Sequence, residues 1–227
     1  MGECIYKVGG CVRDAILGVP CKDIDYVCVF PSYSAMVEYI GSVGKIYLES
    51  PQYQTVRAHL PGTPAADFVL ARRDGEYTDG RRPDSVSVGT LLDDLSRRDF
   101  TMNAIAQDSS GAIIDPFGGV NDIRNKIIRC VGDPMHRFYE DSLRILRAIR
   151  FSITKGFRIS ESVLCCMQDS SLVARLANVS QERIREELTK CFSFDTLATL
   201  RVLQGFPEIR DICFSGGIRL LPTTKRF

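Results

Sequence analysis

The run Val8-Gly9-Gly10-Cys11-Val12-Arg13-Asp14-Ala15-Ile16-Leu17-Gly18, followed by Lys22-Asp23-Ile24-Asp25-Tyr26-Val27-Cys28-Val29, constrains this chain more than any other stretch. Apolar Ile5 and Val8 lead into Gly9 and Gly10, a pair whose backbone amides can approach an anion, and Cys11 to Leu17 has helical character with Arg13 in its first turn. A strand of alternating type is then expected to carry Asp23 and Asp25, whose i, i+2 spacing aims both carboxylates at one side of a sheet. Two hard oxygen ligands suit Mg²⁺, which takes one or two carboxylates plus substrate phosphates. An isolated Asp-x-Asp occurs by chance on many solvent-facing strands. The glycine turn and arginine just upstream add the phosphate clamp that a bare solvated face has no reason to include, so the pattern reads as a metal-dependent nucleotide-transfer site.

The 227 residues can bury a sizeable core, and two domains are expected. A net charge of +1 sets up no global field for nucleic acid, so any RNA-binding surface must be local. Nine cysteines would suit a disulfide scaffold in a short secreted chain. Here the opening Met-Gly-Glu carries no apolar signal segment and no run is of membrane length, so reduced thiols in the cytoplasm or another reducing compartment, and no membrane partner, are expected. Cys11, Cys28 and Cys191 fall among apolar neighbours, Cys165 and Cys166 are adjacent, and the absence of Cys-x-x-Cys pairs leaves zinc little support. His59 and His136 are read as structural or surface residues.

Up to about Asn125, short β-type runs alternate with turns and modest helices: Ile24 to Val29, Tyr53 to His59, Asp67 to Ala71, Ala104 to Gln107 and Ala112 to Asp115. From Asp133 the β pattern vanishes, and Leu143, Leu146, Ile149 and Ile153 form one apolar helical stripe. Four or five helices are expected, with Ser160, Ser180 and Asp195 at N-caps. The class is α+β, divided at 1–125, 126–205 and a short tail 206–227 whose end, Leu220 to Phe227, is expected to fray.

Asp67 opens a third apolar strand, placed to join Asp23 and Asp25 as a carboxylate that takes a proton or ligates metal; a capping or turn role is the alternative. The polar stretch from Arg72 to Asp84 reads as a mobile loop over the site or as an ordinary solvated connector. Arg97-Arg98-Asp99-Phe100-Thr101-Met102-Asn103 packs two guanidinium groups, a carboxylate and an amide ahead of an apolar strand. Arginine suits triphosphate oxygens, and Asp99 suits ribose hydroxyls. Asp115 to Gly119 reads as a turn ending the first domain.

Arg137 to Phe151 reads as one helix on which Asp141 and Arg144 stand a turn apart, tips side by side. An acceptor beside a donor fits the Watson-Crick edges of cytosine and adenine and mismatches uracil and guanine. Arg147 and Arg150 continue at three-residue steps, but rotation around a helix keeps all four groups off one face. The alternative is an exposed helix laced by ion pairs.

In this order the segments resemble the class II tRNA nucleotidyltransferase and poly(A) polymerase family, which includes the CCA-adding enzymes. The likeness rests on Gly9-Gly10 with Asp23 and Asp25, Arg98-Asp99, Asp115 to Gly119, Glu140 to Phe151, and Glu182-Arg183 with Glu187, and it covers roughly residues 5 to 195. It implies a polymerase β-like catalytic head with a mixed sheet, followed by an all-α neck. It further implies that Asp23 and Asp25 hold Mg²⁺ and that Asp67 is the third active-site carboxylate. Gly9, Gly10, Arg13, Arg98, Asp99 and Asn103 would bind the nucleotide, and Asp141, Arg144, Arg147 and Arg150 would select it. The loop from Arg73 to Pro83 would be the element associated with the switch to adding A.

The implied activity is addition of CMP and AMP from CTP and ATP to a tRNA 3′ end, with an A-adding or poly(A)-type enzyme and a non-catalytic RNA-binding remnant as alternatives. Family members continue into helical body and tail domains that grip tRNA. The expectation here is a short form in which a second copy, a partner protein or the basic tail replaces them.

Overall fold

The computed structural model describes residues 5–21, 23–77 and 83–217. Lys22, residues 78–82 of the expected loop and the expected fraying end from Leu220 lie outside the described residues. The chain forms two compact units, one of residues up to Glu76 together with Asp84–Asn125, the other of Tyr77–Pro83 together with residues from Lys126 onward.

The first unit runs β1 (Ile5–Val8), α1 (Gly10–Ile16), β2 (Asp25–Cys28), α2 (Tyr33–Val43), β3 (Lys45–Ser50), β4 (Thr55–His59), β5 (Ala66–Leu70), β6 (Arg72–Asp74), β7 (Val86–Val88), α3 (Leu91–Ser96), β8 (Ala106–Gln107), β9 (Ile113–Ile114) and α4 (Gly119–Asn125). Seven strands join in a mixed sheet of order β3-β4-β5-β2-β1-β8-β9, in which β2 and β5 run parallel and the other neighbours antiparallel. The pleat sends Tyr26, Cys28, Val56, Ala58, Ala66, Phe68 and Leu70 to one face, where Met36 and Ile40 of α2 complete the core. The Tyr26 and Phe68 rings stack there with centroids 4.7 Å apart. Apolar burial on that face fixes the register, because a one-residue slip would turn every buried side chain to water.

Three local expectations change in this unit. β2 begins at Asp25, so Asp23 precedes the strand instead of lying in it. Val8, the register partner of Asp25, is the last residue of β1 before the chain turns into α1, which leaves Asp23 without a strand to pair with. The base of the expected loop is an antiparallel ladder between β6 and β7. Asp115 accepts from the amides of Gly119 at 2.7 Å and Val120 at 2.9 Å, so this turn starts α4 within the first unit.

The second unit contains α5 (Pro134–Glu140), α6 (Leu143–Lys155), α7 (Glu161–Met167), α8 (Ser170–Ala174), α9 (Gln181–Phe194), α10 (Thr196–Gln204) and α11 (Pro207–Phe214). That is seven helices among the described residues, where four or five were expected. The β pattern also persists: β10 (Ile127–Ile128) pairs in parallel with β11 (Arg158–Ile159). Aspartates account for much of the extra segmentation, since Asp133, Asp169 and Asp195 each accept from amides of the helix that follows. Ser160 and Ser180 stand at N-caps as expected. The stripe Leu143, Leu146, Ile149 and Ile153 is buried in α6.

All eight described cysteines are free thiols, and Cys11, Cys28 and Cys191 are buried. Among the described residues, no helix is long and apolar enough to cross a membrane.

Candidate functional site

On the sheet face opposite the α2 core, Arg57, Asp67 and Asp25 form a row across β4, β5 and β2, since Arg57 is the register partner of Asp67, and Asp67 of Asp25. Arg57 Nη1 donates to both Asp67 oxygens, at 3.2 and 3.3 Å. The Asp25 carboxyl is held above its ordinary range, first by partial desolvation; the charges of Asp67 and Asp23 push it further up, and Arg98 pulls it down. Asp23, Asp67 and Arg98 therefore lie within electrostatic reach of Asp25, and Arg57 is paired to Asp67.

Arg98 follows α3, and its position comes from Asp94 in that helix's last turn. Asp94 is fully buried; its Oδ2 accepts from Arg98 Nη2 at 3.0 Å and Nε at 3.3 Å, while its Oδ1 takes the Arg97 guanidinium. Arg98 Nη1 also donates to the Asn103 carbonyl at 3.3 Å. Gly9 completes this corner. Its φ of 73° lies in the left-handed region that favours glycine, and a Cβ there would stand 2.7 Å from Arg98 Nη1, which would have to shift. Gly10 opens α1, with room for a Cβ 3.5 Å from Arg13 Nη2.

Arg13 is almost fully buried, donating through Nε to Asp14 at 2.9 Å and through Nη1 to Asn103 Oδ1 at 2.5 Å. Asn103 Nδ2 in turn donates to Asp99 Oδ1 at 3.1 Å, an oxygen that also accepts from the Phe100 amide at 2.7 Å. Arg13, Asn103 and Asp99 thus form a buried chain behind Arg98.

The donor set suits a hard cation. Carboxylate oxygens are the ligands Mg²⁺ prefers, and the crowding of Asp23 and Asp67 around Asp25 is like-charge repulsion that a divalent ion relieves. Among the described residues no group of three or more His, Cys, Asp or Glu makes a ready protein cage; a cation taking one or two carboxylates plus phosphates does not need one.

In the second unit the expected single helix is broken. Asp141 has extended backbone between α5 and α6, and its Oδ1 accepts from the Leu143 amide at 3.1 Å, so the carboxylate starts a new helix where the old one ends. Asp141 and Arg144 therefore do not stand a turn apart on one helix, although the Arg144 amide donates to the Asp141 carbonyl at 3.1 Å. Asp141 Oδ2 accepts from Arg183 Nη2 at 2.8 Å, and Arg144 Nη1 donates to Glu140 Oε2 at 2.7 Å and to the Arg137 carbonyl at 3.0 Å. The i, i+3 and i, i+4 ion pairs of the alternative reading are present, from Arg137 and Arg144 to Glu140, but Arg144 and Glu140 are buried where that reading had an exposed helix. Arg150 and Arg147 turn instead to Glu187 of α9, with N···O distances of 2.5 and 4.0 Å, and Arg150 stacks 4.0 Å over the Phe151 ring.

Asp94, Arg57 and Glu140 were not singled out individually by the sequence. Asp94 had a readable signal, its i, i+3 and i, i+4 spacing to Arg97 and Arg98. Arg57 had none, because its contact with Asp67 exists only through strand pairing.

Residues 5–129 match the poly A polymerase head domain, and residues 156–211 match a model described as a probable RNA and SrmB-binding site of polymerase A. The chain is 40% identical over 186 residues to the CCA-adding enzyme of Limosilactobacillus fermentum, covering 82% of this chain and 45% of that protein. It superposes on the Bacillus stearothermophilus CCA-adding enzyme in complex with CTP with a TM-score of 0.73 at 35% identity, covering 88% of this chain and 47% of the other. The Thermotoga maritima CCA-adding enzyme complexed with tRNA gives a TM-score of 0.73 at 29% identity, covering 96% and 50%. The chain thus spans about half the length of the relatives it matches.

Proposed function

Because the chain belongs to the poly A polymerase head-domain family, we propose that it is a template-independent nucleotidyltransferase that adds CMP and AMP from CTP and ATP to the 3′ end of tRNA. The observation that carries this reading is the row of Asp25 and Asp67, with Asp23 and Arg98 within electrostatic reach of Asp25. Asp23 and Asp25 would hold Mg²⁺, which when bound supplies charge neutralisation at the phosphates and a lowered pKa for a coordinated hydroxyl.

Asp67 takes the proton of the terminal 3′-hydroxyl, whose oxygen forms a bond to the α-phosphorus as the bond to pyrophosphate breaks. Arg98, aimed by Asp94, binds triphosphate oxygens, which resemble the carboxylate it already grips. The Arg13, Asn103 and Asp99 chain keeps that corner rigid. Asp141 presents an acceptor fixed by Arg183, and Arg144 presents a donor fixed by Glu140; such a pair matches C and A and rejects U and G.

Incubation of the purified protein with tRNA lacking its CCA end and each labelled nucleotide, under Mg²⁺, tests the assignment. CMP and AMP incorporation stopping at three residues is expected. Long A tracts would move the reading to a poly(A)-type enzyme, and no incorporation, or equal use of UTP and GTP, would sink it.

A further inference from the structure

The sheet face that bears Asp25 and Asp67 continues outward, uncovered, to the edge strand β3. Three features mark this extension. A register shift between Ile46 and Leu48 sets both Tyr47 and Leu48 against Arg57, so the bulge turns two large side chains toward the carboxylate side where simple alternation would give one. Both are open to solvent, Tyr47 at 55% and Leu48 at 58%. Around them stand the cationic and donor groups of Lys45, Arg57 and His59, all exposed; Lys45 is the register partner of His59, and its Nζ lies 5.5 Å from the Tyr47 ring centroid.

This cluster sits in an acidic setting. Residues 1–125 contain 17 aspartates and glutamates against 12 lysines and arginines. Lys45, an imidazole and the Asp67-paired Arg57 around an exposed aromatic ring, three strand spacings or about 14 Å from Asp25, suit a polyanion with flat bases. Single-stranded RNA is bound by this combination: backbone tracking by cations and base stacking on aromatic rings displayed on an open sheet face.

We infer that the β3–β4 face is the platform for the unpaired 3′ strand of the acceptor RNA, with Tyr47 stacking a base, Lys45 and His59 contacting phosphates, and Arg57 bridging a phosphate to Asp67. This inference rests on the nucleotidyltransferase reading for its direction, since the strand on this platform ends at the carboxylate row.

The test uses the full chain and a 5′-fluorescein-labelled acceptor-stem hairpin with an unpaired 3′ end, titrated by anisotropy without nucleotide at several salt concentrations. Tyr47→Ala is expected to raise Kd about tenfold while Tyr47→Phe binds like wild type. Lys45→Gln is expected to flatten the slope of log K against log salt by about 0.7. CTP binding, measured without RNA, should not change in either variant. Hairpin binding within twofold of wild type for both Tyr47→Ala and Lys45→Gln overturns the platform, as does a Tyr47→Ala variant that changes only the sedimentation of the free protein. The two readings fail separately. Transfer activity with an unchanged Kd in the variants removes the platform alone, and weakened hairpin binding in a protein without transfer activity removes the enzyme alone.

Discussion

Asp94 holds Arg98 from below, a fully buried carboxylate whose Oδ2 accepts from Nη2 at 3.0 Å and Nε at 3.3 Å while its other oxygen holds Arg97. Removing one partner of a buried pair leaves the other charge uncompensated, at a cost of about 3–5 kcal/mol. Asp94→Asn should therefore lower the unfolding free energy of the first unit, read from urea titration, by an amount in that range. If Arg98 binds triphosphate, the same variant raises KM for CTP more than KM for RNA, a split that simple loss of stability would not produce.

Asp25 sits among like charges, and its neutral form is favoured by desolvation and by Asp67 and Asp23. Asp25→Asn should stabilise the metal-free protein at pH 7, because it removes a charge that the folded state disfavours. It should also abolish transfer. Thermal melts with and without Mg²⁺ check both halves: the ion should raise the Tm of wild type and leave the variant where it was. A Mg²⁺-dependent shift of equal size in both would remove Asp25 from the metal site.

Much of the frame was legible in residue order. Gly9 and Gly10 announce a tight turn into a helix, the apolar run after Asp67 announces β5, and the stripe from Leu143 to Ile153 announces α6. The departures share a cause. Asp-x-Asp alternation predicts a strand through Asp23, but strand membership needs a partner, and β1 ends at Val8. Periodicity passing through Asp141 predicts one helix from Arg137 to Phe151, whereas the Asp141 carboxylate accepts from the Leu143 amide at the start of a new helix. Local pattern does not encode which side chain will find a backbone amide, nor cross-strand pairs such as Arg57 with Asp67.

Glu187 is the corresponding buried carboxylate of the second unit, 4% exposed, with Arg150 Nε at 2.5 Å, Lys190 at 3.5 Å and Arg147 at 4.0 Å. Glu187→Gln keeps the shape and removes the charge. A loss of about 3 kcal/mol is expected, because Arg150 is left mostly buried without its counter-ion. Hydrogen exchange should show the loosening in α6 and α9 and leave β2 and β5 as protected as in wild type.

Burial separates the thiols sharply. Cys21 and Cys165 are exposed, whereas burial pushes the Cys191 and Cys213 thiols up to about 12. At pH 8 such a group is ionised in about one molecule in ten thousand, and the thiolate is the reactive form. Brief iodoacetamide treatment followed by mass mapping should modify Cys21 and Cys165 and spare Cys191 and Cys213 until denaturant is added. Modification of Cys213 at the rate of Cys165 would show that α11 opens readily.

Asp93 gives the first unit a stability that depends on acid. The Arg73 guanidinium holds its carboxyl well below the usual carboxylate range, helped by the Thr90 amide and hydroxyl, which it receives as the third residue of a capping box at the start of α3. A depressed folded-state pKa means that the folded form binds the proton less readily than the unfolded form, whose pKa is about 3.9. The contribution is therefore complete above about pH 5 and falls away as pH drops below that value toward the folded pKa. Asp93→Asn should cost stability at pH 7, and the gap from wild type should narrow by pH 3. Thr90→Ala, which removes the reciprocal cap, should cost about 1 kcal/mol at pH 7. Urea titrations of the three proteins at both pH values decide the matter; a gap for Asp93→Asn that stays constant with pH would mean that the carboxylate contributes through shape and not through charge.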